Sequence, residues 1–183
     1  MSASIRKAMV TAFAVIPIFS TPPGAGQDAW IQTGQGTREK SLALVHIQAY
    51  TISHSVRVRP TVPYQSIMID LETDKKFVLR MLRDVGANRM KEMFRDAFTL
   101  NGCRDTTQID AFLAALTRDL VKGDQVTIAY TARTQTTSIS LQNGGSATLH
   151  GRDFMRATWS IWFGKTDQPS LGEALISRLR TGG

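Results

Sequence analysis

Disulfide chemistry is missing from this sequence. Cys103 is the sole cysteine among 183 residues, so no intrachain bridge can form and no cysteine pair can hold a metal. It follows Asn101-Gly102 at an expected helix end, with no neighbouring histidine to activate it, and reads as a buried or inert thiol. Histidine is nearly as scarce. His46, His54 and His150 are the full set, and none is spaced His-x-x-x-His, which argues against a metal centre. No Gly-x-Ser-x-Gly motif and no placed Ser/His/Asp set supports a serine hydrolase, and no cofactor motif stands out. No apolar run reaches the roughly 18 residues that a spanning helix needs. Linkers, low-complexity segments and internal repeats are absent as well. What is present is an ordinary globular composition, with 42% hydrophobic and 20% charged residues and 14 glycines. That excludes a disordered chain, a collagen-like chain and a disulfide-stapled miniprotein.

The first 26 residues read as a secretory signal peptide. Arg6 and Lys7 form a positive start, Ala8 to Phe19 is an apolar run of 12 residues, and Gly24-Ala25-Gly26 supplies small residues for cleavage. The expected product is one domain, residues 27–183, exported to the periplasm or secreted. Loss of Arg6 and Lys7 lowers the net charge from +7 to +5. A charge of that sign suits an anionic ligand or peripheral contact with an anionic membrane surface. It does not point to nucleic acid. The basic run Lys75, Lys76, Arg80, Arg83, Arg89, Lys91 and Arg95 is interleaved with Asp70, Glu72, Asp74, Asp84, Glu92 and Asp96, the pattern of solvated faces.

Hydrophobic periodicity predicts strands over Ser41–Ile52, Ser55–Arg59 (an edge), Ser66–Leu71 and Lys76–Arg83. A helix is expected from Gly86 to Leu100. Met90, Met93, Phe94, Ala97 and Phe98 lie on its inner face, and Asn101-Gly102 is its stop. A second helix is expected from Asp105 to Val121, with Ile109, Phe112, Leu113, Leu116 and Leu120 inward. Strands follow over Gln125–Thr131 and Thr136–Gln142, then a type I′ turn at Asn143-Gly144, then Ser146–His150. Phe154–Phe163 reads as a helix buried on both flanks, where Trp159 and Trp162 fit either a cleft wall or a core. A final helix starts with Ser170 and Glu173 as a capping box. Strands, two helices, strands, two helices is not a βαβ alternation. It predicts an α+β fold with antiparallel strands and helices gathered on one face.

The stretch Gly151-Arg152-Asp153-Phe154-Met155-Arg156-Ala157-Thr158-Trp159-Ser160-Ile161-Trp162-Phe163-Gly164, followed by Pro169-Ser170-Leu171, resembles the C-terminal signature of bacterial chalcone-isomerase-like proteins. Gly34-Gln35-Gly36-Thr37-Arg38 is similar to the Gly-x-Gly-x-Arg that opens that fold. The Met81–Val85 segment before a helix and Gly123-Asp124 before a strand also fit. The resemblance covers about Gln32 to Leu179. It implies a curved antiparallel sheet backed by helices, with a ligand cleft between them. The superfamily holds plant chalcone isomerases, which close a phenolate onto an enone, and fatty-acid-binding relatives.

Carried across, the family's arginine is Arg38. Its threonine falls at Val45, its tyrosine and asparagine at Arg89 and Asp96, and its last hydroxyl at Ile161. One of five polar roles survives. Losing a single oxyanion donor costs about 3 kcal/mol of transition-state stabilisation, so the resemblance implies a binder more than an isomerase. Its expected ligand is a small amphipathic or anionic molecule, a fatty acid or a phenolic, held by Arg38, Tyr50, Arg89, Asp96 and Trp162. Arg38 suits either that task or a structural salt bridge. The alternative is an active chalcone–flavanone-type isomerase, an intramolecular lyase, with Arg38, Arg89 and Asp96 at the family's catalytic positions. Intact-mass measurement of protein from the cell envelope is expected to give an N-terminus near Gln27; a full-length soluble cytosolic species would contradict export.

Overall fold

The protein is described from a computed structural model, which covers residues 29–42 and 45–180. The expected signal segment, residues 1–26, lies outside the described residues. Among the described residues six strands follow one another in space as in sequence: β1 (Ile31–Leu42), β2 (Val45–Val56), β3 (Lys75–Met81), β4 (Gln125–Thr131), β5 (Thr136–Leu141) and β6 (Ser146–His150). All pairings are antiparallel. The helices are α1 (Gln65–Asp70), α2 (Ala87–Leu100), α3 (Thr106–Leu113), α4 (Arg152–Phe163), α5 (Pro169–Ala174) and α6 (Ser177–Arg180). The result is the α+β class expected, an open antiparallel sheet with helices.

Alternation along the strands decides which face is covered. Phe77, Leu79 and Met81 of β3, Val126 and Ile128 of β4, and Ile139 and Leu141 of β5 are all buried on one side. Phe94 and Phe98 of α2, Phe112 of α3, and Phe154 and Trp159 of α4 close over them. Their rings meet mostly edge-on or tilted, as between Phe98 and Phe112 at 5.5 Å, the arrangement that the ring quadrupole favours. Helix α2 ends as expected. Gly102 takes φ 80, the Gly102 N–H bonds Thr99 O and the Cys103 N–H bonds Phe98 O, which is a Schellman closure. Cys103 is half-buried and packs against the core.

A chain of buried polar groups crosses this core. The Trp159 indole N–H donates to His54 Nε2 at 3.0 Å. An indole only donates, so Nε2 carries no proton and Nδ1 does. Nδ1 lies 2.7 Å from Thr33 Oγ1, whose own proton goes to the Leu175 carbonyl at 2.7 Å. Thr33 is the extra residue of a β-bulge, since the β1–β2 register skips from Gln32 to Gly34. Burial, with the nearby Lys75 charge, pushes the His54 imidazole down to about 3.

Several local expectations are corrected. Ser66–Leu71 is not a strand; it lies in helix α1 and the residue that ends it. The ammonium of Lys75 explains this: Nζ donates to the Met68 and Ile69 carbonyls at 2.8 and 3.1 Å, two successive carbonyls at a helix end that a strand would point to opposite sides. Lys75 is therefore no solvated charge. It is fully buried, 4.7 Å from the Trp159 ring centre, and burial lowers it to about 7. Ser55–Arg59 is no separate edge strand, because β2 runs on through Val56. The helix expected to reach Val121 stops at Leu113; beyond it, backbone bonds in both directions tie Leu120 to Val85, which keeps Leu116 and Leu120 buried without helix. The β5–β6 hairpin exists, but only Asn143 in it has positive φ, and a type I′ turn needs two such residues. Ser170 is not a cap. Pro169 opens α5, and Glu173 pairs with Arg180 and Gln65 instead.

The unfolded chain holds His54 near 6.5 and the folded chain near 3, so the unfolded state binds more protons throughout that window. This stability is complete above pH 6.5 and is lost as pH falls toward 3. Between pH 6.5 and 5, above most carboxylate titrations, thermal melts are expected to show a loss of about 2 kcal/mol. His54→Gln, though less stable overall, is expected to flatten that slope.

Candidate functional site

The site begins with two glycines. A Cβ on Gly34 would collide with the Ala174 carbonyl, and one on Gly36 would sit 2.6 Å from Leu171 Cδ1. Their bareness lets α5 press directly against β1. Two residues on, Arg38 has the same inward parity, opposite Tyr50 of β2. The Gly-x-Gly-x-Arg spacing thus brings a guanidinium and a phenol together under the segment that joins α4 to α5.

Between that pair, α2 and α4 lies a cavity of about 190 Å³. Its floor is apolar, with Met90, Met93, Phe94, Ile161, Trp162 and Leu171. Its polar walls include Arg38, Tyr50, Arg89 and Asp96. Arg89, Met93 and Asp96 stand at i, i+4 and i+7 of α2, one stripe of the helix. All five residues expected to hold a ligand, Arg38, Tyr50, Arg89, Asp96 and Trp162, line this single space. Ile161, at the family's hydroxyl position, lines it too and offers no hydrogen bond. Of Val45 only the backbone is described, so the threonine position lies outside the described side chains, as does the side chain of His46.

The residues differ in what they can do. Tyr50 is buried, and its oxygen accepts the Trp162 indole N–H at 3.2 Å. Among the described residues its own proton has no acceptor. Burial raises the phenol above its usual range despite the Trp162 bond and the nearby Arg38 charge, so it is a neutral donor at physiological pH. Trp162 answers the cleft-or-core question in both senses: buried, and a cavity wall. Trp159 is core alone. Arg89 is exposed at the rim and pairs with Glu92 at 3.2 Å. Asp96 is exposed and makes no hydrogen bond or ion pair among the described residues. Arg38 is mostly buried and already engaged, by Asp167 at 2.6 Å and by Gln168 Oε1 at 3.2 Å. It is thus both cavity wall and salt-bridge partner.

Sequence reasoning missed the rim between α4 and α5. Lys165, Thr166 and Asp167 line the cavity, and Lys40 joins them from β1. The Gln168 amide donates to Thr37 O at 3.0 Å, and its oxygen accepts the Glu39 N–H at 3.0 Å. At the other end the Asn101 side chain donates to Lys165 O at 3.0 Å and accepts the Lys165 N–H at 2.8 Å. The rim is pinned on both sides. These are long-range contacts, and Asn101 in the sequence signals only a helix end.

An antiparallel meander with helices over one face and a basic-rimmed cavity at their junction defines an α+β sheet-and-helix domain. The chain belongs to the chalcone isomerase-like family, whose model matches residues 26–175. The crystal structure of an Arabidopsis thaliana fatty-acid binding protein shares the fold, with a TM-score of 0.66 at 13% identity over 88% of this chain and 93% of that one. No curated protein matches the sequence.

Asn101→Ala removes both bonds that hold Lys165. Hydrogen exchange at the Lys165 amide is expected to speed up by about tenfold, while amides of β3 and β4 stay unchanged.

Proposed function

We propose that this chain is an exported, non-catalytic binder of a small amphipathic ligand, with the ligand's tail on the Met90–Met93–Phe94–Trp162 floor and its polar head toward Arg38 and Tyr50. The observation that carries the reading is the pairing of a guanidinium with an unused phenolic proton at one end of an apolar cavity. That pairing suits an anionic or accepting head group such as a carboxylate or phenolate. An engineered apolar cavity of about 150 Å³ takes benzene. By that measure the 190 Å³ here accommodates one aromatic ring or a short chain. A longer chain would extend past Leu100, which is 52% exposed at the cavity edge. The Arabidopsis fatty-acid binding protein of the same fold supports a carboxylate among the candidates. Export rests on the order of basic, apolar and small residues before Gln27.

Two features weigh against ring closure. Ile161 supplies no donor, and the Asp96 carboxylate would oppose negative charge growing on an enone oxygen. The second reading, an active isomerase, draws on Tyr50, whose free proton could stabilise such an oxygen.

Calorimetric titration is expected to show wild type binding octanoate or a small phenol. Arg38→Ala should weaken binding at least fivefold with little change in melting temperature, since the Asp167 partner is 63% exposed and such pairs contribute only about 1 kcal/mol. A hydroxychalcone should lose absorbance no faster with protein than without. Decay that scales with protein and disappears in Arg38→Ala would establish the isomerase instead.

A further inference from the structure

We propose that Asp167 is a specificity-determining residue of this cavity: its carboxylate holds the place at Arg38 that a ligand carboxylate would take, so it weakens every anionic head group that must displace it and leaves neutral acceptors, which need only Tyr50, unaffected. The inference rests on the ligand-binding reading above and deepens it.

The contact between Asp167 and Arg38 is one-armed. Oδ1 accepts from Nη2 at 2.6 Å, while Nη1 turns to Gln168 at 3.2 Å. The Asp167 side chain is 63% exposed and that of Arg38 only 15%. The chain's own carboxylate therefore reaches the guanidinium from the solvent side, and Arg38 shares the cavity wall with Tyr50, its partner across the strands. Because Asn101 fixes Lys165 and Gln168 is tied to β1, Asp167 can leave by rotation of its own side chain. The loop need not unfold.

Three head groups fare differently at such a site. A carboxylate has two oxygens, one to replace Asp167 on Nη2 and one to take the Tyr50 proton, both in charge-assisted bonds. A phenolate has one oxygen, which can accept from both donors but must likewise displace Asp167 from Nη2, whereas a neutral phenol is too weak an acceptor to displace a carboxylate. A neutral ketone can use Tyr50 and leave Asp167 in place. Asp167 offsets the mostly buried Arg38 cation, and only a better anion displaces it. Cavity size narrows the class further, to carboxylates carrying about one ring or a short chain.

The test is calorimetric titration of wild type, Asp167→Asn and Glu39→Gln with 3-phenylpropionate, 4-ethylphenol and acetophenone. The Glu39 carboxylate accepts from Gln48 at 2.9 Å, so Glu39→Gln removes the same charge one residue from Arg38 without touching its guanidinium. Asp167→Asn is expected to tighten 3-phenylpropionate roughly five- to tenfold and to leave acetophenone unchanged. Glu39→Gln should shift 3-phenylpropionate by less than about twofold. Equal tightening in both variants would reduce Asp167 to a general field effect and overturn the inference. So would unchanged 3-phenylpropionate affinity in Asp167→Asn when wild type binds. If none of the three proteins binds any probe, the ligand-binding reading falls and takes this inference with it.

Discussion

The covering of β1 by the C-terminal segment is the constraint on which the rest depends. It is held by a backbone contact that only glycine permits and by a polar relay that needs four elements at once. Gly34 leaves room for the Ala174 carbonyl. One residue earlier, the Thr33 hydroxyl bonds the Leu175 carbonyl and reaches His54, which in turn accepts from Trp159. Each member of this relay is buried. A missing partner would leave an unsatisfied buried group, costing about 1–3 kcal/mol. Buried polar chains of this kind penalise every competing arrangement of β1, β2, α4 and the α5–α6 turn.

The same contact builds the cavity. With α5 seated on Gly34 and Gly36, the turn from α4 has to pass over Arg38, and the side chain of Gln168 is close enough to bond β1 three times. Arg38 thus sits where packing leads it, between an apolar floor and the Lys165–Asp167 rim. In Gly-x-Gly-x-Arg the two glycines make the packing contact and thereby place the arginine at the cavity.

The cluster around Lys75 shows how far a buried charge can be accommodated. Two helix-end carbonyls, the Trp159 face and the Tyr130 ring surround the ammonium. Tyr130 donates to Glu72 at 2.9 Å, and burial together with that carboxylate pushes its phenol up to about 12. Burial opposes the Lys75 charge, while Glu72 and Asp70 support it. The helix that supplies the carbonyls is held at its far end by the same lysine.

The sequence by itself determined the class of the fold, the strands with clean alternation, and the amphipathic helix α2 with its Asn101-Gly102 closure. These are local periodicities, or spacings along one element, and a period of 2 or 3.6 is carried by the chain itself. Tertiary structure alone decided the rest. Ile67, Met68 and Ile69 alternate no better as helix than as strand, and a lysine six to eight residues away settles the matter. Leu116 and Leu120 keep helical spacing but answer to Val85. Ser170 has the letters of a cap, yet Pro169 already opens the helix. Asp167 is an unremarked polar residue until β1 comes beneath it. In each case the deciding partner is distant in sequence or on another element, and its pull on a hydrogen bond or charge exceeds the few tenths of a kcal/mol by which local propensities differ.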